Sequence, residues 1–136
     1  MRNLTRLELD HVHINNVTLE KLATLPKLDS LSIGACTMIS SIGLIYLEKT
    51  KINDLNIDNT FIDDSGVESL KRMPLTHISL VDTRISLTGL EQLCATNGVH
   101  RDIRLSAKQC ADPQVHAILS RHPGIRFVQP NRAGSD

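Results

Sequence analysis

The sequence predicts an α/β fold, specifically a repeat solenoid shaped as a short arc with a parallel concave sheet and convex helices. Three observations predict it. An apolar pattern of the form LxxLxL recurs about every 23 to 25 residues. A polar residue, then a small one, then an apolar one follow each copy of the pattern. Aromatic residues are only 2% of the chain, so Leu, Ile and Val must build the core. We expect about five repeats plus a closing strand within residues 1–128, and a polar tail over 129–136.

The strand pattern opens each repeat unit, and we number the units 1 to 5 from their starts at positions 4, 28, 52, 75 and 100. The copies are Leu4/Leu7/Leu9, Leu28/Leu31/Ile33, Ile52/Leu55/Ile57, Leu75/Ile78/Leu80, Ile103/Leu105 and the closing Ile125/Val128. A single unit cannot bury its own apolar side chains, so successive units must stack. We therefore expect Leu31, Leu55 and Ile78 to be neighbours on parallel strands.

The second half of each unit predicts a helix on the convex side. The residues expected to cap the helix starts are Asn15, Ser40, Asp63, Ser86 and Asp112, the last followed by Pro113. Apolar residues three positions apart then form one stripe that faces inward. The expected stop signals are Pro26, Pro74, Asn97-Gly98 and Pro123-Gly124. Each unit is thus a strand, a turn and a helix.

Three stretches repeat one another closely: CTMISSIGLIYL from position 36, NTFIDDSGVESL from 59 and DTRISLTGLEQL from 82. On these residues the chain resembles the leucine-rich repeat family, in the style of the cysteine-containing repeats of F-box adaptors. The resemblance covers about residues 4 to 128 and implies a leucine-rich-repeat solenoid. Its F-box style implies substrate recognition for a ubiquitin ligase.

The cysteines and the N-terminal residues predict an intracellular protein. Cys36, Cys94 and Cys110 are an odd and unpatterned set without a CxxC motif, which favours reduced thiols. The chain reaches Glu8 and Asp10 without an apolar region, unlike a secretory signal. Its apolar stretches are too short for a bilayer, so we expect no membrane insertion. The expected location is the cytoplasm, or a mitochondrion as part of a complex.

The total charge is zero, from 15 basic and 15 acidic residues, which disfavours a surface built throughout for nucleic acid. The two halves nevertheless differ. Residues 71–136 hold nine basic and five acidic residues, whereas residues 1–70 hold six basic and ten acidic ones. This basic C-terminal half supports an alternative function as an RNA- or ribonucleoprotein-associated component, with Arg101, Arg104 and Lys108 as the expected phosphate contacts.

Catalytic and metal-binding patterns give little support for an enzyme. The known nucleophile, phosphate-loop and zinc-protease motifs are absent from the sequence. His11 and His13 lie beside Asp10 but lack a further ligand from another element, and the Asp63-Asp64 pair lies where acids favour a helix start. Cys36 is expected to be structural. We predict a non-enzyme with no catalytic residues, no metal and no cofactor.

Two surfaces are the predicted binding sites. The concave face is expected to present Arg6, Glu8, Asp54, Asn56, His77, Ser79, Asp102 and Arg104. The N-terminal edge is expected to expose Leu4, Leu7, Leu9, Leu19 and Leu22, because solenoids need polar terminal caps and unit 1 has none before it. We therefore predict a protein-protein interaction module, a subunit or adaptor within a larger assembly, with a partner or a second copy of the chain over the uncapped first repeat. Alternatively, the chain is a fragment of a longer solenoid.

Overall fold

A computed structural model describes residues 2–95 and 101–129 of the chain. Six short strands form one parallel sheet in which the spatial order follows the order along the chain. The strands are β1 (Arg6–Glu8), β2 (Ser30–Ser32), β3 (Asp54–Asn56), β4 (His77–Ser79), β5 (Arg101–Arg104) and β6 (Ile125–Val128). The chain is therefore an α/β protein, as the sequence predicts.

The register of the sheet follows the apolar pattern. Leu31 pairs with Leu55, and Leu55 pairs with Ile78, on strands that run in the same direction. The series continues to Ile103 on β5. The expectation that these side chains are neighbours on parallel strands is confirmed, because a single set of equivalent apolar residues has to face the core from every strand.

Helical segments connect the strands. They are α1 (Asn16–Leu22), a 3-10 helix (Ser41–Leu47), a 3-10 turn (Asp64–Gly66) that continues into α2 (Val67–Arg72), α3 (Leu87–Cys94), α4 (Ala107–Cys110) and α5 (Pro113–Arg121). Leu31, Leu55 and Ile78 are buried on one side of the sheet together with Leu44 and Leu70 from the connecting segments. The core thus lies between the sheet and the helical layer.

The expected helix caps are present in four of the five units. The Asn15 side chain accepts from the amides of Val17 and Thr18, and Ser86 accepts from the amide of Gly89. Asp63 and Asp112 cap the following segments in the same way. The stop signal at Asn97-Gly98 lies outside the described residues.

The segment after Ser40 differs from the expected α-helix, since residues 41–47 form a 3-10 helix. Ser40 has the extended backbone of a capping residue, but its side chain makes no capping bond. Its hydroxyl instead accepts from the Asn16 amide of the preceding unit at 3.0 Å. The first turn of this segment therefore begins without a side-chain cap.

A left-handed backbone residue recurs after the strands of the first four units. His11, Ala35, Asn59 and Asp82 have φ values of 63°, 59°, 57° and 58°. Asn, Asp and His tolerate this conformation better than other residues with a Cβ, whereas Ala35 gains no such local support. The chain thus turns out of the sheet in the same way in each of these units.

Hydrogen bonds inside the turns support the repeated geometry. The Cys36 thiol donates to the Leu9 carbonyl of the preceding unit at 3.1 Å. The hydroxyls of Thr60 and Thr83, at the equivalent position, donate to carbonyls within their own units at 2.7 and 3.1 Å. Burial raises the pKa of the Cys36 thiol, so its role in the turn is that of a protonated donor.

Candidate binding surface

The side of the sheet opposite the helices, which we call the open sheet face, contains a groove of about 520 Å³. All eight residues predicted for the concave face line it: Arg6, Glu8, Asp54, Asn56, His77, Ser79, Asp102 and Arg104. Arg126, Val128 and Asp10 also line it and were missing from the sequence prediction. The register could have found Arg126, because it pairs with Asp102 across β5 and β6.

The end of the groove near β6 is organised around Asp102. Arg126 binds this carboxylate through two nitrogens at 3.0 and 2.7 Å, and His77 Nε2 lies 3.3 Å from it. The hydrogen bond from Arg126 holds the pKa of Asp102 below its ordinary value and raises that of Arg126. Asp102 is therefore an ionised anchor that positions two basic side chains at this end.

The carboxylates of Asp10 and Asp58, which follow β1 and β3, accept hydrogen bonds from the next strand, and Asp10 lines the groove. Asp10 accepts from the Ser32 hydroxyl and from the Gly34 amide. Asp58 makes the same pair of contacts two strands further on, with the Ser79 hydroxyl at 2.6 Å and the Val81 amide at 2.8 Å. Burial raises the pKa of Asp58, and the nearby charge of Asp10 adds to that effect.

Ser79 therefore differs from the expectation for an exposed contact residue. Its side chain is largely buried, and its hydroxyl is already bound to Asp58. Asn56 is half-buried, and its side-chain oxygen Oδ1 accepts a hydrogen bond from the backbone amide of Asp58 at 2.8 Å. These two residues support the shape of the groove, because their polar groups are used within the protein.

Four exposed charged side chains of the groove, on β1, β3 and β5, differ in whether they are paired. Arg6 and Glu8 pair with each other at 3.0 Å on β1. Asp54 on β3 and Arg104 on β5 are both exposed and make no side-chain hydrogen bond or ion pair within the described residues. Asp54 and Arg104 are thus the charges available to a partner, one at each half of the groove.

The prediction that Arg101 is exposed and contacts phosphates is wrong. Its side chain is only 3% exposed and donates to the backbone carbonyls of Leu75 at 3.0 Å and Leu93 at 3.3 Å. Burial lowers the pKa of this guanidinium. Arg101 joins the end of α3 to the sheet, so it is unavailable to a nucleic acid, whereas Arg104 and Lys108 are exposed.

The N-terminal edge also differs in part from its prediction. Leu4, Leu7, Leu9 and Leu22 are half-buried, but Leu19 is fully buried. Leu19 lies under the next unit: an added Cβ at Gly43 would come within 2.8 Å of its Cδ1 atom. Leu19 therefore belongs to the interface between units 1 and 2, and its prediction as an exposed residue of the N-terminal edge is wrong. In the part of the chain that the structure describes, β1 pairs only with β2.

The residues considered for chemistry have other placements. His11 and His13 are exposed, and among the described residues no three His, Cys, Asp or Glu side chains are grouped to hold a metal ion. Asp63 caps a helical turn, where hydrogen bonds from Ser65 and then Ser41 lower its pKa. Burial raises the pKa of the Cys94 thiol to about 12.

The described helices include none that is both long and apolar enough to cross a membrane. No protein-family model matches the chain, and no curated protein matches it.

Proposed function

We propose that this chain is a non-catalytic protein-interaction module, a leucine-rich-repeat solenoid that acts as a subunit or adaptor in a larger intracellular assembly. Its partner would lie across the open sheet face. The observation that carries the proposal is the groove, to which all six strands contribute residues. Short parallel strands in regular register place these side chains in rows, which suits an extended partner segment more than a compact small molecule.

The order of charge along the groove supports a partner of stated polarity. Glu8, Asp10 and Asp54 outnumber Arg6 toward the first three strands, whereas Arg104 and Arg126 outnumber Asp102 toward the last three. A partner with a basic part over β1 to β3 and an acidic part over β4 to β6 would meet opposite charge at both ends. Complementarity of this kind sets orientation and speeds association.

The RNA alternative has less support from the same residues. Arg101 is buried, and Arg121 and Arg126 are paired with Glu91 and Asp102. Each pairing reduces the positive charge left for phosphates, on which RNA affinity largely depends. Substrate recognition for a ubiquitin ligase rests on the family resemblance and would use the same groove.

The test uses extended peptides that carry basic and acidic halves in either order, immobilised as an array and probed with the full chain. We expect one order to bind better than the reversed order. Arg104→Glu and Asp54→Lys should each weaken binding about tenfold, which corresponds to about 1.4 kcal/mol, and leave the melting temperature unchanged. Lys108→Glu is the matched control, because Lys108 is exposed but does not line the groove.

Two outcomes would contradict the proposal. Equal losses for Arg104→Glu and Lys108→Glu would show that binding depends on overall charge. Binding of a single-stranded RNA oligonucleotide that falls steeply with salt, together with no peptide binding, would favour the RNA alternative.

A further inference from the structure

Besides Val12, six large apolar side chains are exposed on units 1 to 3, away from the groove. They are Val17, Met38, Ile42, Ile45, Tyr46 and Phe61, with exposed fractions between 38% and 67%. We call this set the outer patch. None of the six lines the groove of the open sheet face. Single exposed apolar residues are common on proteins, but a contiguous group of this size marks an interaction surface.

The stacking of the units makes these side chains neighbours. Ile42 and Ile45 lie three positions apart on the 3-10 helix, so they share one side of it, and Tyr46 directly follows Ile45. Val17 occupies in unit 1 the position that Ile42 occupies in unit 2, and those units are joined there by the Asn16–Ser40 hydrogen bond. Met38 and Phe61 are likewise equivalent positions of adjacent units.

The apolar residues at positions 45 and 46 of unit 2 are not part of the repeated pattern, because units 1, 3 and 4 have polar residues there. Where unit 2 has Ile45, units 1, 3 and 4 have glutamates, namely Glu20, Glu68 and Glu91. Where unit 2 has Tyr46, the same units have polar residues, namely Lys21, Ser69 and Gln92. The fold therefore accepts polar side chains at both positions, and the apolar residues of unit 2 are not needed to build the core.

We propose that the outer patch is a self-association surface, on which a second copy of this chain docks to form a two-fold dimer. Its six side chains expose an area on the order of 600 Å², at the upper end of the range for the largest apolar patch on a monomer. A standard interface takes about 800 Å² from each partner. The patch and its immediate rim together supply that area.

Charge complementarity favours a second copy as the occupant. The rim carries both signs, with Glu20 and Lys21 on unit 1, Lys49 on unit 2 and Arg84 stacked 4.2 Å above the Phe61 ring. A two-fold interface brings a surface against itself, so its rim needs acidic and basic groups that can pair across the axis. The formal charge of the chain is zero, so two copies have no net repulsion.

The experiment measures the mass of the full chain over a wide range of concentration by sedimentation equilibrium. We expect the unchanged chain to form dimers as the concentration rises. Ile45→Glu should weaken the dimer about 30-fold or more, as expected for loss of a central apolar contact. Its melting should stay cooperative, because units 1, 3 and 4 already carry glutamate at this position.

The matched control is Thr88→Glu, which changes the unit 4 equivalent of Ile42 on an exposed site outside the patch. It should dimerise as the unchanged chain does. Should Ile45→Glu fail to fold, Tyr46→Lys repeats the test with the residue type found at position 21. A chain that remains monomeric at every concentration overturns the proposal. So does a dimer that survives both patch variants but is lost with Leu7→Glu at the β1 edge.

Discussion

The joints between units 1 to 4 and the joint between units 4 and 5 are built differently. In each of the first three joints, a polar side chain from one unit bonds to the capping residue of the next. Asn16 bonds to Ser40, Ser41 bonds to Asp63, and Asp64 bonds to Ser86. We call this series the polar ladder. It pairs a capping residue with its neighbour at every one of these three joints.

Glycine makes the close approach possible at the first and third joints and eases it at the second, where a Cβ added at Gly66 would lie 3.1 Å from the Ser41 hydroxyl oxygen. A Cβ added at Gly43 would lie 2.3 Å from the Asn16 side-chain oxygen, and one added at Gly89 would lie 2.1 Å from the Asp64 oxygen. Such distances are too short for any real Cβ atom, so a side chain at these positions would force the ladder residues to move. The ladder and the glycines therefore act together to set the spacing of these units.

The fourth joint lacks both devices. Leu87 occupies the ladder position of unit 4, and Gln114 occupies the glycine position of unit 5. A cavity of about 220 Å³ opens there, lined by Leu87, Ser86, Asp112 and other residues of the two units. Tight stacking of two units therefore depends on two features. One is a hydrogen bond between the ladder residue of one unit and the capping residue of the next, and the other is a glycine near the helix start of that next unit.

The largest effect is expected at the centre of the stack. Leu55→Asp places a charge in the fully buried core of β3 and should cost more than about 5 kcal/mol, abolishing the cooperative thermal transition. Phe127→Asp, at the equivalent register position on β6, should cost about 1–3 kcal/mol, because Phe127 is only half-buried. Circular dichroism melts measure both. Similar losses at the two positions would show that the end of the stack is as tightly packed as its centre.

An intermediate effect is expected from filling a glycine position. Gly43→Ala should destabilise the chain by about 1–2 kcal/mol, although alanine ordinarily favours helical segments, since the added Cβ meets Asn16 and Leu19. Gln114→Ala, at the equivalent exposed position of unit 5, should change stability by less than about 0.5 kcal/mol. Urea denaturation measures the difference. A Gly43→Ala protein more stable than the original chain would refute the close approach.

The smallest effect is expected at the β5–β6 joint and depends on pH. The pKa of Asp102 lies below its ordinary value of 3.8 in the folded protein because Arg126 bonds the ionised form. The contribution of this pair is therefore present above pH 3.8 and is lost as the pH falls through the folded-state pKa. Asp102→Asn should remove that part of the pH dependence. We expect the melting temperatures of Asp102→Asn and the original chain to converge as the pH falls. Arg126→Gln should show the same convergence. A difference in melting temperature that widens in acid would contradict a stabilising Asp102–Arg126 pair.

The sequence predicted the parts of the molecule that depend on local periodicity. Leu31, Leu55 and Ile78 are predictable neighbours because the apolar pattern allows one register. Asn15, Ser86 and Asp112 are predictable caps because their bonds are made within a few residues. The eight side chains brought together at the groove follow from the same alternation along the strands.

The remaining features depend on contacts between units, which periodicity does not encode. Arg101 begins a strand in a basic stretch, and its burial depends on carbonyls from two other segments. Leu19 is covered because Gly43 lets the next unit approach. The Ser40 hydroxyl accepts from Asn16 and makes no capping bond, so the 3-10 helix at 41–47 begins without a side-chain cap. In each case the deciding atom lies in a unit about 24 residues away, or in more than one segment.

The left-handed residues have a consequence for how such a chain can change in length. Ala35 and Asn59 have nearly equal φ angles and are separated by 24 positions, so the backbone leaves unit 3 as it left unit 2. A segment of 24 residues, such as 36–59, can be duplicated or deleted with its two ends joining in the same conformation. Growth by whole modules preserves the sheet, and the connections absorb a difference of one residue, since Leu55 pairs with Ile78 across 23 positions and Ile78 pairs with Ile103 across 25.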